Sequence, residues 1–583
     1  MRLRALALDY DGTVAFDGAF DPECRAAIAD ARGLGILVVL VTGRRLEDLR
    51  QVAGPLDFID AVVAENGAVL AFLNGYSRLI GQPAPPEFLD ELRRRGIEFD
   101  VGQCVIESDA ALAFEILCVI RELQLPLVLL FNRSRLMVLP QGITKSLGLR
   151  RALSMLHLSP HNAVAVGDAE NDHDLLMACE FGVAVGWGSP ALCKIADQVL
   201  EGDSPKVVAQ YIREVSREMK IPVSRKCRHL LALGTARDGQ KLSLAIAGRN
   251  VLVAGEPRSG KSWVTGLMCE KLILQGYSVC VIDPEGDYRT LGSLPGVVIF
   301  GGEDPPPQLP DLARTLRHPE MSVVVDLSRL PHKEKLDYLH SLLPMVAGLR
   351  RSTGLPHRIV LDEAHYFLNR SDAGQLIDLN LKSYTLVTYR ASDIDRNIQA
   401  AMEVVLVKRT GDPAEVRTLL GMAANAGVHT EWVSTLGSLQ PNQAALLPGP
   451  PEAEGELRTL ELLPRLTSHV RHKAKYIDLQ LIAELGFVFT RDSHPLGPPA
   501  RTLKEFTAAL KTYPLGALEG HVHRSDFSCW ILDVFHDPTL ASEIRKIEQQ
   551  YQLGHIRDLC GSIASAIEQR YDLSPDPVVG CPV

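Results

Sequence analysis

The chain has 583 residues, 46% hydrophobic and 23% charged, with a formal net charge of -10. That length supports about three or four domains of ordinary globular composition. The negative balance argues against whole-surface attraction to nucleic acid and leaves room only for a local basic groove. The 11 cysteines are scattered singly, as at Cys104, Cys118, Cys179 and Cys280, with no CxxC pair and no His/Cys cluster at zinc spacing, which predicts buried, reduced thiols. Met1-Arg2-Leu3-Arg4 runs straight into an apolar stretch that ends in candidate chemistry, and the apolar run at 111–120 is interrupted by Glu115. The expectation is a cytoplasmic protein without a signal peptide or membrane segment.

The first apolar run, residues 5–8, leads into Asp9-Tyr10-Asp11-Gly12-Thr13. A carboxylate at a strand end can attack phosphorus, and a second one two residues on shares its face and can protonate a leaving oxygen. The run at 37–41 is followed by Thr42-Gly43-Arg44, Lys145 stands before a helical segment, and the run at 163–166 is followed by Gly167-Asp168-Ala169-Glu170-Asn171-Asp172. Further apolar runs at 251–254, 279–282, 323–325 and 359–361 repeat the alternation with helix-length segments. The pattern predicts an α/β protein with two consecutive doubly wound parallel-sheet domains, ligands binding beyond the carboxyl ends of the strands.

The Asp9 to Thr13 motif, Thr42-Gly43-Arg44, Lys145 and the Gly-Asp-x-x-Asn-Asp segment, with Glu65-Asn66-Gly67, resemble the haloacid dehalogenase superfamily of phosphatases, in its Cof-like branch, over about residues 1–215. The resemblance implies a Rossmann-like domain in which Asp9 is the nucleophile that forms an aspartyl-phosphate and Asp11 the general acid and then base. Thr42 and Lys145 would hold the phosphoryl oxygens. Mg²⁺ would be bound by Asp9, Asp168 and the main-chain carbonyl of Asp11, helped by Asn171 or Asp172. An acid at position 11 favours phosphate hydrolysis over dehalogenation. The insertion at about residues 83–140 takes the position of the family's type-2 cap and is short for that class. Such a lid suits either an open site for a bulky substrate or a small sugar or glycolate phosphate closed off by an oligomer partner.

Gly255-Glu256-Pro257-Arg258-Ser259-Gly260-Lys261-Ser262 lies between the run at 251–254 and a helical stretch at 263–274. In that context the turn from Gly255 to Gly260 cradles phosphates with its N–H groups, Lys261 reaches the β and γ oxygens, and Ser262 holds Mg²⁺. A strand at 358–361 delivers Asp362, to steady the Mg²⁺ shell, and Glu363, to polarise water, a pair that favours ATP hydrolysis over transfer to an acceptor. With Asp283-Pro284-Glu285-Gly286-Asp287-Tyr288 and Thr388-Tyr389-Arg390, these residues resemble the HerA/FtsK group of translocase ATPases, of RecA-like fold, over about residues 229–460. Thr388 falls at that group's Thr-Gln-Arg sensor, where Tyr389 replaces the expected Gln. The resemblance implies a homo-oligomeric ring acting on DNA or a partner protein, with a neighbour's arginine completing each site; Arg350, Arg351, Arg390 and Arg396 are the candidates. No long basic, aromatic-interleaved stretch marks a DNA path.

A polar, mixed-charge stretch at 201–228 separates the two halves, and a Pro/Gly-rich break at 448–452 is followed by a basic segment at 465–475, read as a solvated linker with Arg465, His469, Arg471, His472, Lys473 and Lys475. Beyond it a small, mainly helical module is expected, in which residues 501–547 resemble an accessory module of unknown role. His521 and His523 alternate on an expected strand or turn near Asp526, with no third ligand at zinc spacing. The expected domains are thus 1–215, 229–462 and 476–583. The expected function is a Mg²⁺-dependent phosphomonoester hydrolase joined to an ATPase, meeting a phosphorylated small molecule and ATP. The alternatives are a kinase-phosphatase acting on one substrate, such as a nucleic-acid end, and a nucleotide-sensing scaffold.

Overall fold

Two large sheets follow one another along the chain, each with helices on both faces. The computed structural model describes residues 1–132, 134–224, 226–236, 238–368, 376–423, 430–449, 456–467, 481, 485–491, 494–535 and 538–571. The chain divides into a unit Met1–His469, which holds both sheets, and a unit Val470–Val583.

The first sheet comprises β1 (Ala5–Asp9), β2 (Leu37–Val41), β3 (Ala61–Ala64), β4 (Val69–Phe72) and β5 (Ser77–Leu79), and, after the insertion, β10 (Ala163–Gly167), β11 (Phe181–Val185) and β12 (Gln198–Leu200), in the order β12-β11-β10-β1-β2-β3-β4-β5. It is parallel from β12 to β3 and antiparallel beyond. The pleat sends Leu6 and Leu8 into one apolar cluster and Ala5 and Ala7 into the other, all fully buried. Burial on both faces is why these strands read as continuous apolar runs. The stretch read as a polar separator contains an amphipathic helix, Pro205–Glu218, whose Val208, Ile212 and Val215 join the first core.

The insertion forms a small antiparallel sheet from β6 (Asp100–Val101), β7 (Ile106–Asp109), β8 (Leu127–Asn132) and β9 (Arg135–Pro140), ordered β8-β9-β7-β6, with its own core around Phe88, Leu92, Ile116 and Leu136.

The second sheet comprises β13 (Leu231–Ala236), β14 (Lys241–Leu244), β15 (Val251–Ala254), β16 (Val279–Asp283), β17 (Val297–Gly301), β18 (Ser322–Asp326), β19 (Arg358–Leu361), β20 (Tyr384–Thr388), β21 (Val404–Val407), β22 (Gln443–Leu446) and β23 (Arg458–Leu462). Its order is β14-β13-β23-β22-β21-β15-β20-β19-β16-β18-β17. A parallel core from β21 to β17 carries an antiparallel extension.

The two sheets meet at their amino edges. Asn162, just before β10, donates to the carbonyl of Arg2 (2.9 Å) and pairs with His357 Nε2 (3.1 Å), which precedes β19. His161 Nε2 contacts the carbonyl of Gln275 (2.9 Å), ahead of β16. The carboxyl edge of each sheet, where ligands bind in such folds, is therefore the edge away from the junction.

Arg465, expected in a solvated linker, is instead fully buried against helix Lys261–Leu274, its guanidinium 2.8 Å from Glu270. The remainder of that basic segment lies outside the described residues.

In the second unit, helices Leu503–Thr512, Leu515–His523, Asp526–Phe535, Pro538–Gln552 and Leu559–Tyr571 surround Phe487, Phe489, Phe506, Phe527 and Trp530. His521 and His523 lie on a helix, not a strand, because Leu518, His521 and Val522 form its buried face at i, i+3 and i+4 spacing. His521 bridges Asp526 (2.7 Å) and the Thr490 N–H (2.9 Å). Among the described residues no helix is long and apolar enough to cross a membrane.

Candidate functional sites

The front site gathers at the carboxyl ends of β1, β2 and β10. Lys145 begins helix Lys145–Met155, capped by the Thr144 hydroxyl accepting from the Leu147 N–H (3.2 Å). Its ammonium donates to Asp9 Oδ1 and Asp172 Oδ1, both at 2.6 Å, and all three side chains are buried. Acceptor atoms of Asp9, Asp168 and Asp172 lie within 4.8 Å of one another. Asp172 is oriented by the N–H groups of Asp168 and Ala169, each at 3.1 Å. Burial first, then the Asp172 carboxylate, pushes Asp9 well above the ordinary carboxylate range, with Lys145 pulling the other way. Burial drags Lys145 down, but Asp172 and Asp9 outweigh it and its pKa is raised.

Three buried carboxylates around one ammonium leave an excess of negative charge that fits a divalent cation. Asn171 Oδ1, buried with no hydrogen-bond partner, lines the same cavity and adds a neutral oxygen to the donor set. Gly12 keeps that set together. At its φ of +79° a Cβ would fall 2.3 Å from Asp168 Oδ2, while on the other side a Cβ on Gly188 would fall 2.5 Å from the Asp168 carbonyl oxygen. Asp11 is gripped by both arms of Arg44, at 2.7 and 2.6 Å, and the Arg44 N–H donates to the buried Thr42 hydroxyl (3.1 Å).

The insertion roofs the site. Glu107, Asn132, Ser134, Arg135 and Met137 join Asp9, Asp11, Lys145 and Asp168 around a cavity of about 230 Å³. Glu65 holds this roof to the core: its carboxylate accepts from the N–H groups of Gln103, Cys104 and Val105 at 2.9, 2.7 and 2.9 Å. Arg44 and Glu65 were quoted in the sequence motifs without a role. Neither partner set is foreshadowed by local spacing.

In the second sheet, β15 runs into the turn containing Gly255 (φ +155°) and Gly260 (φ +97°) and then into helix Lys261–Leu274. Lys261 Nζ reaches back to the Glu256 carbonyl at 2.9 Å. Ser262 donates to Asp287 (2.8 Å), whose loop is wound around Asp283: that carboxylate accepts from the N–H groups of Glu285, Gly286, Asp287 and Tyr288 at 2.7 to 3.3 Å. Asp362 and Glu363 sit at the end of β19, which β20 separates from β15. Glu363 takes a left-handed conformation (φ 47°), with a carboxylate oxygen 3.6 Å from His365 Nδ1.

Thr388, closing β20, contacts the same nitrogen at 3.1 Å. Tyr389, at the expected Gln position, stacks edge-on against His365 and lies 6.0 Å from Lys261 Nζ. His365 thus links both candidate catalytic strands to the lysine, a role the sequence did not assign. Burial pushes it down to about 4, so it is neutral at neutral pH. Of the four arginines, Arg350 is buried and donates to the carbonyls of His357 and Leu381, which excludes it as a group offered to a neighbour. Arg351, Arg390 and Arg396 are all exposed, Arg351 pairing with Asp378 (2.8 Å) and Arg390 with Asp393 (3.5 Å).

Parallel strands ending in a buried carboxylate cluster beside a lysine, under a small lid, define a phosphoryl-group hydrolase of the doubly wound α/β class. Comparison with known families agrees: residues 6–116 and 120–212 match the haloacid dehalogenase-like hydrolases, and residues 233–348 match the central domain of helicase HerA. The chain is an enzyme that carries a haloacid dehalogenase-like hydrolase domain at its front and a HerA-type domain in its middle. Phosphoglycolate phosphatase of Methanopyrus kandleri is 28% identical over 225 residues, covering 36% of this chain and 96% of that protein. The Methanoculleus marisnigri protein of the same name is 28% identical over 219 residues, covering 34% and 91%. A crystal structure of a haloacid dehalogenase-like hydrolase from Bacteroides thetaiotaomicron aligns at 17% identity and a TM-score of 0.33, covering 37% of this chain and all of that one.

Proposed function

We propose that the protein is a Mg²⁺-dependent phosphatase for a small phosphoester, carried on one chain with an ATP-hydrolysing HerA-like domain. The observation that supports the first half is the Asp9–Lys145–Asp172 cluster with Asp168 beside it. Asp9 attacks phosphorus as the ester P–O bond breaks, and the leaving oxygen takes a proton from Asp11, which Arg44 holds in place. Water then attacks the phosphorus of the aspartyl-phosphate, giving its proton to Asp11 as the bond to Asp9 breaks and inorganic phosphate leaves. Thr42 and Lys145 hold the phosphoryl oxygens. Asp9, Asp168 and the main-chain carbonyl of Asp11, with Asn171 or Asp172, would hold a Mg²⁺ ion, which would supply neutralising charge.

The cavity of about 230 Å³ is smaller than the roughly 300–1,000 Å³ of ordinary small-molecule sites. That suits a small phosphoester, in keeping with the relatives named phosphoglycolate phosphatase. A junction at the amino edges leaves each site at the far end of its own sheet, which argues against a kinase-phosphatase passing one substrate directly between sites.

For the second half, Gly255, Gly260, Lys261 and Ser262 bind the triphosphate, with Asp362 and Thr388 steadying the metal and γ-phosphate and Glu363 acting on water. Full-length protein is assayed against a panel of phosphoesters headed by phosphoglycolate. Hydrolysis that requires Mg²⁺ and disappears in Asp9→Asn is expected, and a variant that keeps wild-type turnover would overturn the assignment.

A further inference from the structure

His161 has an acceptor on each side. Its Nε2 meets the Gln275 carbonyl at 2.9 Å, and its Nδ1 meets Glu180 Oε2 at 2.9 Å. The carbonyl requires an N–H at Nε2, so in the neutral ring Nδ1 presents a lone pair to a carboxylate oxygen. Two such atoms at this distance repel unless a cation lies between them.

Around that point stand further donors. His229 Nδ1 is 3.7 Å from Glu180 Oε2, and the Tyr277 hydroxyl is 2.8 Å from Glu180 Oε2 and 3.2 Å from His229 Nδ1. The ligand atoms of His161, Glu180 and His229 all lie within 4.8 Å of one another, and Glu180 and His229 are buried. The site spans the junction: His161 and Glu180 precede β10 and β11 of the first sheet, whereas His229 and Tyr277 precede β13 and β16 of the second.

We infer that His161 Nδ1, Glu180 and His229 Nδ1 bind a zinc-class divalent ion that clamps the phosphatase domain to the HerA-like domain. Two imidazoles and a carboxylate are a donor set such ions favour, and separations of 2.9 and 3.7 Å bracket the roughly 3.3 Å edge of a tetrahedron with bonds of about 2.0 Å. The Gln275 carbonyl fixes the tautomer of His161, and the Tyr277 hydroxyl donates to Glu180, the outer contacts that hold metal ligands in place. Tyr277 also stacks on the His161 ring, centroids 3.7 Å apart. The ion is remote from both reaction sites, because the junction lies at the amino edges of the sheets.

The test uses full-length protein stripped with a chelator and titrated with Zn²⁺, read by metal analysis and calorimetry, and with Co²⁺, read by the intense visible absorption of four-coordinate cobalt. The expected result is one tightly bound equivalent that survives Asp9→Asn, is lost in His229→Ala and in Glu180→Gln, and weakens by about 10- to 100-fold in Tyr277→Phe. Zn²⁺ should also raise the unfolding temperature of the wild type and leave that of His229→Ala unmoved, which separates loss of the ligand from loss of the fold. Failure of the folded wild type to bind Zn²⁺ or gain stability from it would overturn the inference, as would equal binding by His229→Ala. In either case a proton on His161 Nδ1 fills the gap.

Discussion

Replacing Gly12 by alanine tests the geometry of the front site more sharply than removing a catalytic group. The new Cβ would stand 2.3 Å from Asp168 Oδ2. Ordinary carbon-oxygen contact begins near 3.4 Å, so the carboxylate must move by about 1 Å. Retreat is obstructed, because Gly188 already packs against the Asp168 carbonyl and β10 fixes the backbone in front of it. A misplacement of about 1 Å costs on the order of 100-fold in rate. The left-handed φ of +79° adds about 1–2 kcal/mol of backbone strain for any residue with a Cβ. The measurement is kcat/KM for phosphoglycolate across a Mg²⁺ titration, with ATP hydrolysis as the internal control. A fall of about 100-fold with a raised Mg²⁺ requirement and unchanged ATPase activity is expected. A Gly12→Ala enzyme within about threefold of wild type at every Mg²⁺ concentration would show that Asp168 is not held where this reasoning needs it.

Other perturbations separate the two halves. Asp9→Asn should abolish phosphoester hydrolysis and leave ATP turnover intact, whereas Glu363→Gln should abolish ATP turnover while a fluorescent nucleotide still binds; loss of both activities in either variant would contradict independent sites. Arg465→Ala removes a charged partner from Glu270, which keeps the Leu466 and Thr467 N–H groups and the Thr467 hydroxyl, and should cost about 1.5–3 kcal/mol in chemical denaturation, an amount that a change under about 0.5 kcal/mol would refute. His365 carries a pKa pushed down to about 4 by burial. The unfolded chain, titrating near 6.5, therefore binds a proton first, and stability falls as pH drops from 6.5 through 4, by about 3 kcal/mol in all. Urea midpoints measured through that window should fall less steeply for His365→Asn; parallel curves would dispose of the claim.

What could be read in the sequence was local. Asp9 and Asp11 two residues apart, and the Gly255 to Ser262 turn between a strand and a helix, announce themselves because strand, turn and reacting group are contiguous. The two-sided burial of β1 and β15 likewise shows in unbroken apolar runs, and the α/β class follows from it. The remaining features depend on long-range partners. Arg465 looked like part of a solvated linker because its carboxylate partner is 195 residues upstream. Asp11 is held by an arginine 33 residues on, and Glu65 closes on backbone N–H groups, which leave no mark in a sequence. His521 and His523 mimicked strand alternation because two positions are too few to distinguish a period of 2 from one of 3.6. At the sheet junction, ligand spacings of 19 and 49 residues match no metal motif.

The three N–H groups gathered by Glu65 also restrict how substrate can enter. Swinging the whole lid outward would break all three contacts at once, and bonds to a charged group are worth about 1.5–3 kcal/mol each. Rotation about the loop at 102–105 would keep those contacts while lifting the β8–β9 hairpin, which carries Asn132, Ser134 and Arg135 beside the cavity. None of the three bonds reaches that hairpin, so this tie to the core is confined to the loop at 102–105.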